Sequence, residues 1–201
     1  MTDMFSHRSR PIWLALLALT LASASGEDAE SALVSRIETQ LASIERLLGT
    51  LRHVEATTEE GGVGRTRLTS EAWFVPGDAV DTPVKITLTE ATDTERREMA
   101  FWLDQGQLFL VKERIIVHHA AASSEVTERR RLYDGPRLFR LETRSCSILP
   151  GQPSDLSALP YVPGELPAEA EAEGMMLEEI ALETASQLAP VTVTNRPVRW
   201  E

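Results

Sequence analysis

Few residues of this chain have the type and spacing that chemistry needs. His118-His119 is the first pair to weigh. On an extended segment adjacent side chains point to opposite faces, so two neighbouring imidazoles do not readily grip one ion. The other histidines are His7 and His53, and Cys146 is the single cysteine. No metal ligand set follows, and we expect neither a metal nor another cofactor. Gly61-Gly62-Val63-Gly64-Arg65-Thr66 looks like a phosphate cradle, but it lacks the lysine and spacing of a P-loop. No G-x-S-x-G elbow, H-E-x-x-H, C-x-x-C or calcium-binding EF-hand loop occurs. Carboxylate pairs such as Glu95/Glu98 and Asp78/Asp81 could serve a hydrolase, yet with 31 acidic residues such pairs arise by chance. The residues therefore argue against an enzyme and assign no catalytic role.

What remains is recognition chemistry. Arg129-Arg130-Arg131 is the sharpest basic cluster. On a strand, Arg129 and Arg131 share one face, where pairing with Glu95, Glu98 or Glu113 of a neighbouring strand accounts for them. Trp73, Trp102, Phe109 and Tyr133 read as core or sheet-face residues. Together with Arg129 and Arg131 they form a candidate binding surface if they meet on an uncovered face.

The elements that must position these residues begin after an export leader. Arg8 and Arg10 precede the apolar run Ile12–Ala22, and Ala22-Ser23-Ala24 supplies a small-x-small cleavage pattern. The run is about half the roughly 20 residues a membrane-spanning helix needs. Residues 1–24 are therefore read as a cleaved signal peptide, which implies a periplasmic or secreted protein with no stable membrane insertion. Ser25-Gly26 follow, without the cysteine that a lipoprotein requires. Cys146 alone forms no intrachain disulfide, so the fold must stand on packing.

Charge is unevenly placed. The formal charge of −11 becomes −12 once the leader removes Arg8, Arg10 and Asp3. Residues 65–144 hold 13 basic and 13 acidic side chains, whereas residues 145–195 hold eight acidic ones and no Lys or Arg. Nucleic acid and anionic lipid surfaces make poor partners for such a chain, because binding them requires clustered cations. Cationic proteins or peptides fit better.

Residues 27–56 carry Val34, Ile37, Leu41, Ile44, Leu48 and Leu51 at helical spacing, and predict one amphipathic helix stopped by Glu60-Gly61-Gly62. From residue 65 the period becomes two. Strands are expected over 68–75, 84–88, 99–103, 108–113, 126–133 and 138–141, with turns at Asp104-Gln105-Gly106 and Asp134-Gly135. Phe101–Phe109 echoes Leu132–Phe139: bulky residues, then Asp and Gly, then Leu-Phe. Residues 146–167 read as a linker, with five prolines between Pro150 and Pro167. Residues 168–201 form an acidic helical appendage, which either packs on the sheet or stands off as an arm.

The expected fold is α+β. An N-terminal helix packs on an antiparallel meander of about five or six strands in a domain spanning 25–145. The order of leader, helix, Thr58-Glu59-Glu60-Gly61-Gly62 and hairpins turning at Asp104-Gln105-Gly106 and Asp134-Gly135 resembles short exported bacterial proteins of unknown function. That resemblance implies export and a helix-plus-hairpin fold, and it carries no activity. A helix cupped by a sheet also looks like the periplasmic lipoprotein carriers, in architecture alone. The function expected is that of a non-enzymatic envelope protein, binding a protein, peptide or apolar ligand through its sheet face or C-terminal arm. Its alternatives are a lipid or lipoprotein carrier with a cavity between helix and sheet, and a hydrolase or hydrolase inhibitor.

Overall fold

The computed structural model describes residues 26–60, 65–75, 82–119, 123–149 and 156–189. The leader with Ala22 and Ala24, the glycine run 61–64 and the tail from Pro190 lie outside the described residues. Helix α1 (Gly26–Leu47) leads into a meander of β1 (Arg52–Glu60), β2 (Thr66–Val75), β3 (Thr82–Ala91), β4 (Glu95–Asp104), β5 (Gln107–His118), β6 (Ser124–Asp134), β7 (Arg137–Ile148) and β8 (Val162–Pro163). Helix α2 (Ala170–Leu188) completes it. The eight strands are hydrogen-bonded in chain order and every pairing is antiparallel. The α+β class stands, with more strands than the five or six expected.

The helix expected over 27–56 is shorter, and the cause is local. Leu48–Thr50 tighten into a 3-10 turn in which the Thr50 hydroxyl donates to the Leu47 carbonyl at 2.8 Å, taking up one orphan group of the helix end. Gly49 lowers helix propensity at the same point. The chain then reverses into β1, paired with β2 from Arg52↔Phe74 to Glu60↔Thr66. Glu60, expected to open the helix stop, is instead the last residue of β1.

The two Asp-Gly turns use different geometries for one purpose. Gln105 and Gly106 both have positive φ, 52° and 84°, as a type I′ hairpin turn requires. Gly135 has φ 60° with Pro136 after it, as in a type II′ turn. After each turn the register slips by one: Trp102 pairs Leu110 while Leu103 pairs Leu108, and Leu132 pairs Arg140 while Tyr133 pairs Leu138. Phe109 and Phe139 are therefore the bulged residues. Both pack with the cluster beneath α1. The repeated Leu-Phe of the sequence is thus one bulge used twice, placing Leu on one face and Phe on the other.

Alternation along β4 then defines two cores. Ala100 and Trp102 join Ile37, Phe109, Leu110 and Leu132 under α1, with Val34, Leu41 and Ile44 packed alongside. Phe101 and Leu103 join Ala72, Phe74, Ile86, Val111 and Tyr133 under α2, whose Leu177, Ala181, Ala185 and Leu188 face inward. The sheet is a middle layer with one helix on each face. The C-terminal helix packs on the sheet and is no free arm. Within the stretch expected as linker, Leu156 is buried, β8 pairs with β7, and Gly164 N donates to Leu141 O at 2.8 Å. Among the described residues no helix is long and apolar enough to cross a membrane.

Candidate binding surface

The pleat divides the residues singled out by sequence between the two faces. Trp73, Trp102 and Phe109 lie on the α1 side. Trp73 stacks on His53 with ring centroids 4.5 Å apart. Lys85 Nζ lies 5.2 Å from the Trp73 ring and 5.1 Å from the Trp102 ring. Trp102 Nε1 and Lys85 Nζ both donate to Glu45 Oε1 of α1, at 2.9 and 3.0 Å. Trp102 and Phe109 are buried, so Trp73 alone of these three reaches the surface. Arg129, Arg131 and Tyr133 lie on the α2 side. Tyr133 is buried against Gly174, where a Cβ would come within 2.9 Å of Tyr133 Cε1. Burial pushes the Tyr133 phenol well above its ordinary range.

The pairing expected of Arg129 and Arg131 is made with Glu113, a carboxylate only 1% exposed. Arg97 Nε and Nη2 donate to its Oε1 at 2.8 and 2.5 Å, and Arg131 Nη1 donates to Oε2 at 3.1 Å. Arg129 stands farther off, at 3.9 Å from Oε2. Arg131 also reaches Glu173 of α2 at 3.0 Å. Burial alone would raise the Glu113 pKa, but the hydrogen bonds and charges of Arg97 and Arg131 outweigh it and hold the carboxyl below its usual range.

A second network on the α1 side ties down the residues before α2. Glu142 sits between Arg130 and Arg140, and these two arginines also reach Glu38 and Glu30 of α1. Arg144 donates twice to Glu128 Oε1, at 3.0 and 2.6 Å, and the Tyr161 hydroxyl donates to the same oxygen. The Tyr161 ring has the guanidinium groups of Arg130 and Arg144 each 4.2 Å from its centroid. These contacts explain why a proline-rich stretch lies on the sheet, and neither composition nor periodicity announced them.

Reactive arrangements are sparse. His118 Nδ1 and Ser124 Oγ lie 2.9 Å apart across the mouth of a hairpin, with the His118 side exposed. Lys112 lies over Trp102 at 5.4 Å, and burial lowers its pKa against the pull of Glu128 and Glu38. Among the described residues no group of three His, Cys, Asp or Glu could hold a metal ion.

The outer surface of α2 is different in kind. Met175, Met176 and Leu182 are exposed at 59%, 53% and 40%. Met175 and Leu182 are two helical turns apart on one flank, interleaved with Glu178 and Glu179 and followed by Glu183 and Ser186. No family model, curated protein or solved structure matches this chain, so its reading rests on the geometry.

Proposed function

We propose that the protein is an exported, non-enzymatic envelope component that binds a protein or peptide partner through the outer face of α2. The supporting observation is the Met175–Leu182 stripe, an apolar seam bordered by carboxylates with no basic residue on the same helix. A complementary partner is an amphipathic helix that sets apolar side chains on Met175 and Leu182 and Lys or Arg against Glu178, Glu179 and Glu183. The acidity of the C-terminal segment and the leader of residues 1–24 both agree with this role. The carrier alternative needs a void between α1 and the sheet. Ile37, Trp102, Leu110 and Leu132, each at most 4% exposed, pack as one cluster there, which favours surface binding over an internal cavity.

The test has two arms. The exported protein is isolated and its N-terminus read, with Ser25 expected and Met1 contradicting export with cleavage. Binding of a cationic amphipathic helical peptide is then compared between the mature protein and Leu182→Lys, a change at an exposed position. The variant should lose about tenfold or more in affinity, since one substitution removes an apolar contact and adds like charge. Equal affinity would sink the assignment to α2.

A further inference from the structure

The two edges of the sheet differ in how they are covered. The outer edge of β7 is met by β8, a two-residue strand closing on Pro163, and Gly164 N donates to Leu141 O beside it. A short cover ending in proline blunts an edge. The opposite edge is β1, nine residues paired with β2 without a bulge. Among the described residues no strand pairs with its outer side. β1 holds no proline, glycine or lysine, and His53, Glu55, Ala56, Thr57, Thr58 and Glu59 are exposed. Its outward backbone groups form a template for one more strand. This edge is separate from the α2 stripe and independent of its reading.

The charge order of β1 points to the strand that fits. It opens on Arg52-His53 and closes on Glu59-Glu60, with Ala56 at its centre. An antiparallel copy therefore sets Arg52 opposite Glu60 and His53 opposite Glu59, each pair occurring twice about a two-fold axis at Ala56. Hydrogen-bonding directions alternate along a strand, so the axis must pass through a residue and not between two. Axes at residues 55, 56 and 57 let the copies overlap by seven residues or more. An axis at Glu55 puts that carboxylate opposite itself, and an axis at Thr57 puts Glu55 opposite Glu59. The Ala56 axis avoids Glu against Glu and overlaps all nine residues. Glu55 then faces Thr57, and the second copy of Glu55 lies diagonally at about 7–8 Å, where solvent and salt screen the repulsion. On the α1 face β2 adds Arg67 opposite Glu59 and Glu71 opposite Glu55, and Glu71 lies 3.2 Å from His53. On the α2 face β2 brings Phe74, Ala72, Ser70, Leu68 and Thr66, none of them charged. Small Ala56 leaves room where two identical side chains must meet.

We propose that two copies of this chain pair β1 to β1 across a two-fold axis at Ala56, joining their sheets edge to edge. Strand pairing alone buries less than a standard interface of roughly 1,600 Å², so the expected dissociation constant is micromolar. Sedimentation velocity of the purified protein between about 1 and 200 μM should show the mass rising from one chain to two. Ala56→Glu and Ala56→Lys, both at an exposed position, set like charges opposite each other on the axis. Each should weaken self-association about fivefold and leave the circular dichroism spectrum at low concentration unchanged. Mixed in equal amounts, the two variants should form a dimer at least as tight as that of the wild type, because Glu then faces Lys. A wild-type mass that stays at one chain overturns the proposal and assigns the edge to another strand. A dimer that neither variant weakens, or a mixture that recovers nothing, overturns it as well.

Discussion

Glu113 is the residue on which most charge converges. Replacing it with Gln leaves Arg97 and Arg131 facing a neutral amide beside a buried core. Breaking a buried pair from one side costs about 3–5 kcal/mol, and solvent at the half-exposed Arg97 and Arg129 moves the expectation to roughly 2–3 kcal/mol. The pH dependence has a definite sign. The native carboxyls of Glu113 and Glu128 titrate below the ordinary value of 4.5, so the unfolded chain binds their protons first. Their contribution is full above that value and is lost as pH falls through the native pKa. Thermal melts should therefore show wild-type stability dropping below about pH 4.5, more steeply than in Glu113→Gln. Parallel curves would contradict the cluster's role. Gly174→Ala makes a steric test, since the added Cβ would stand 2.9 Å from Tyr133 Cε1 and 3.3 Å from the Pro136 carbonyl. We expect a loss of about 1–3 kcal/mol by chemical denaturation. An unchanged midpoint would mean that α2 does not seat on Tyr133.

The hairpins show how an element converts sequence into placement. Gln105 holds φ 52° in a turn that favours Asn before Gly. Gln105→Asn should raise stability by roughly 0.5 kcal/mol, measured by chemical denaturation, and a loss would mean the turn is not type I′. α1 was legible because Val34, Ile37, Leu41 and Ile44 recur at helical spacing and all pack under it. β1 was not. It is an edge strand with His53, Glu55, Ala56, Thr57, Thr58 and Glu59 exposed, so it lacks the apolar alternation that marks a half-buried strand. Leu48 and Leu51 then extended the helical pattern past its true end. The duplicated Leu-Phe was visible as a repeat, but its meaning as a bulge depends on cross-strand register, which sequence spacing does not encode.

Across the whole molecule, two helices of opposite sequence character protect the two sides of one sheet. α1 buries large aliphatic side chains, whereas α2 approaches through Gly174, Ala181 and Ala185, small residues that permit close contact but give weak periodicity. For that reason the sequence left open whether α2 docks. The candidate surface was legible only in pieces. Arg129 and Arg131 were recognised as partners of a neighbouring carboxylate, but Arg97 and Glu173 join them through β4 and α2, 16 and 60 residues from Glu113. Trp102, Phe109 and Tyr133 have the composition of a binding patch and serve as core, because α1 covers Trp102 and Phe109 on one face and α2 covers Tyr133 on the other. Glu178, Glu179 and Glu183 end up on the outer side of α2 beside the exposed Met175 and Leu182. The direct test is to install a photo-crosslinking side chain at Leu182 of the full chain produced in living cells, with Thr94 in the β3–β4 turn as control. The account predicts a discrete partner adduct from position 182 and none from position 94. No adduct at 182, or the same adducts from both positions, would contradict it.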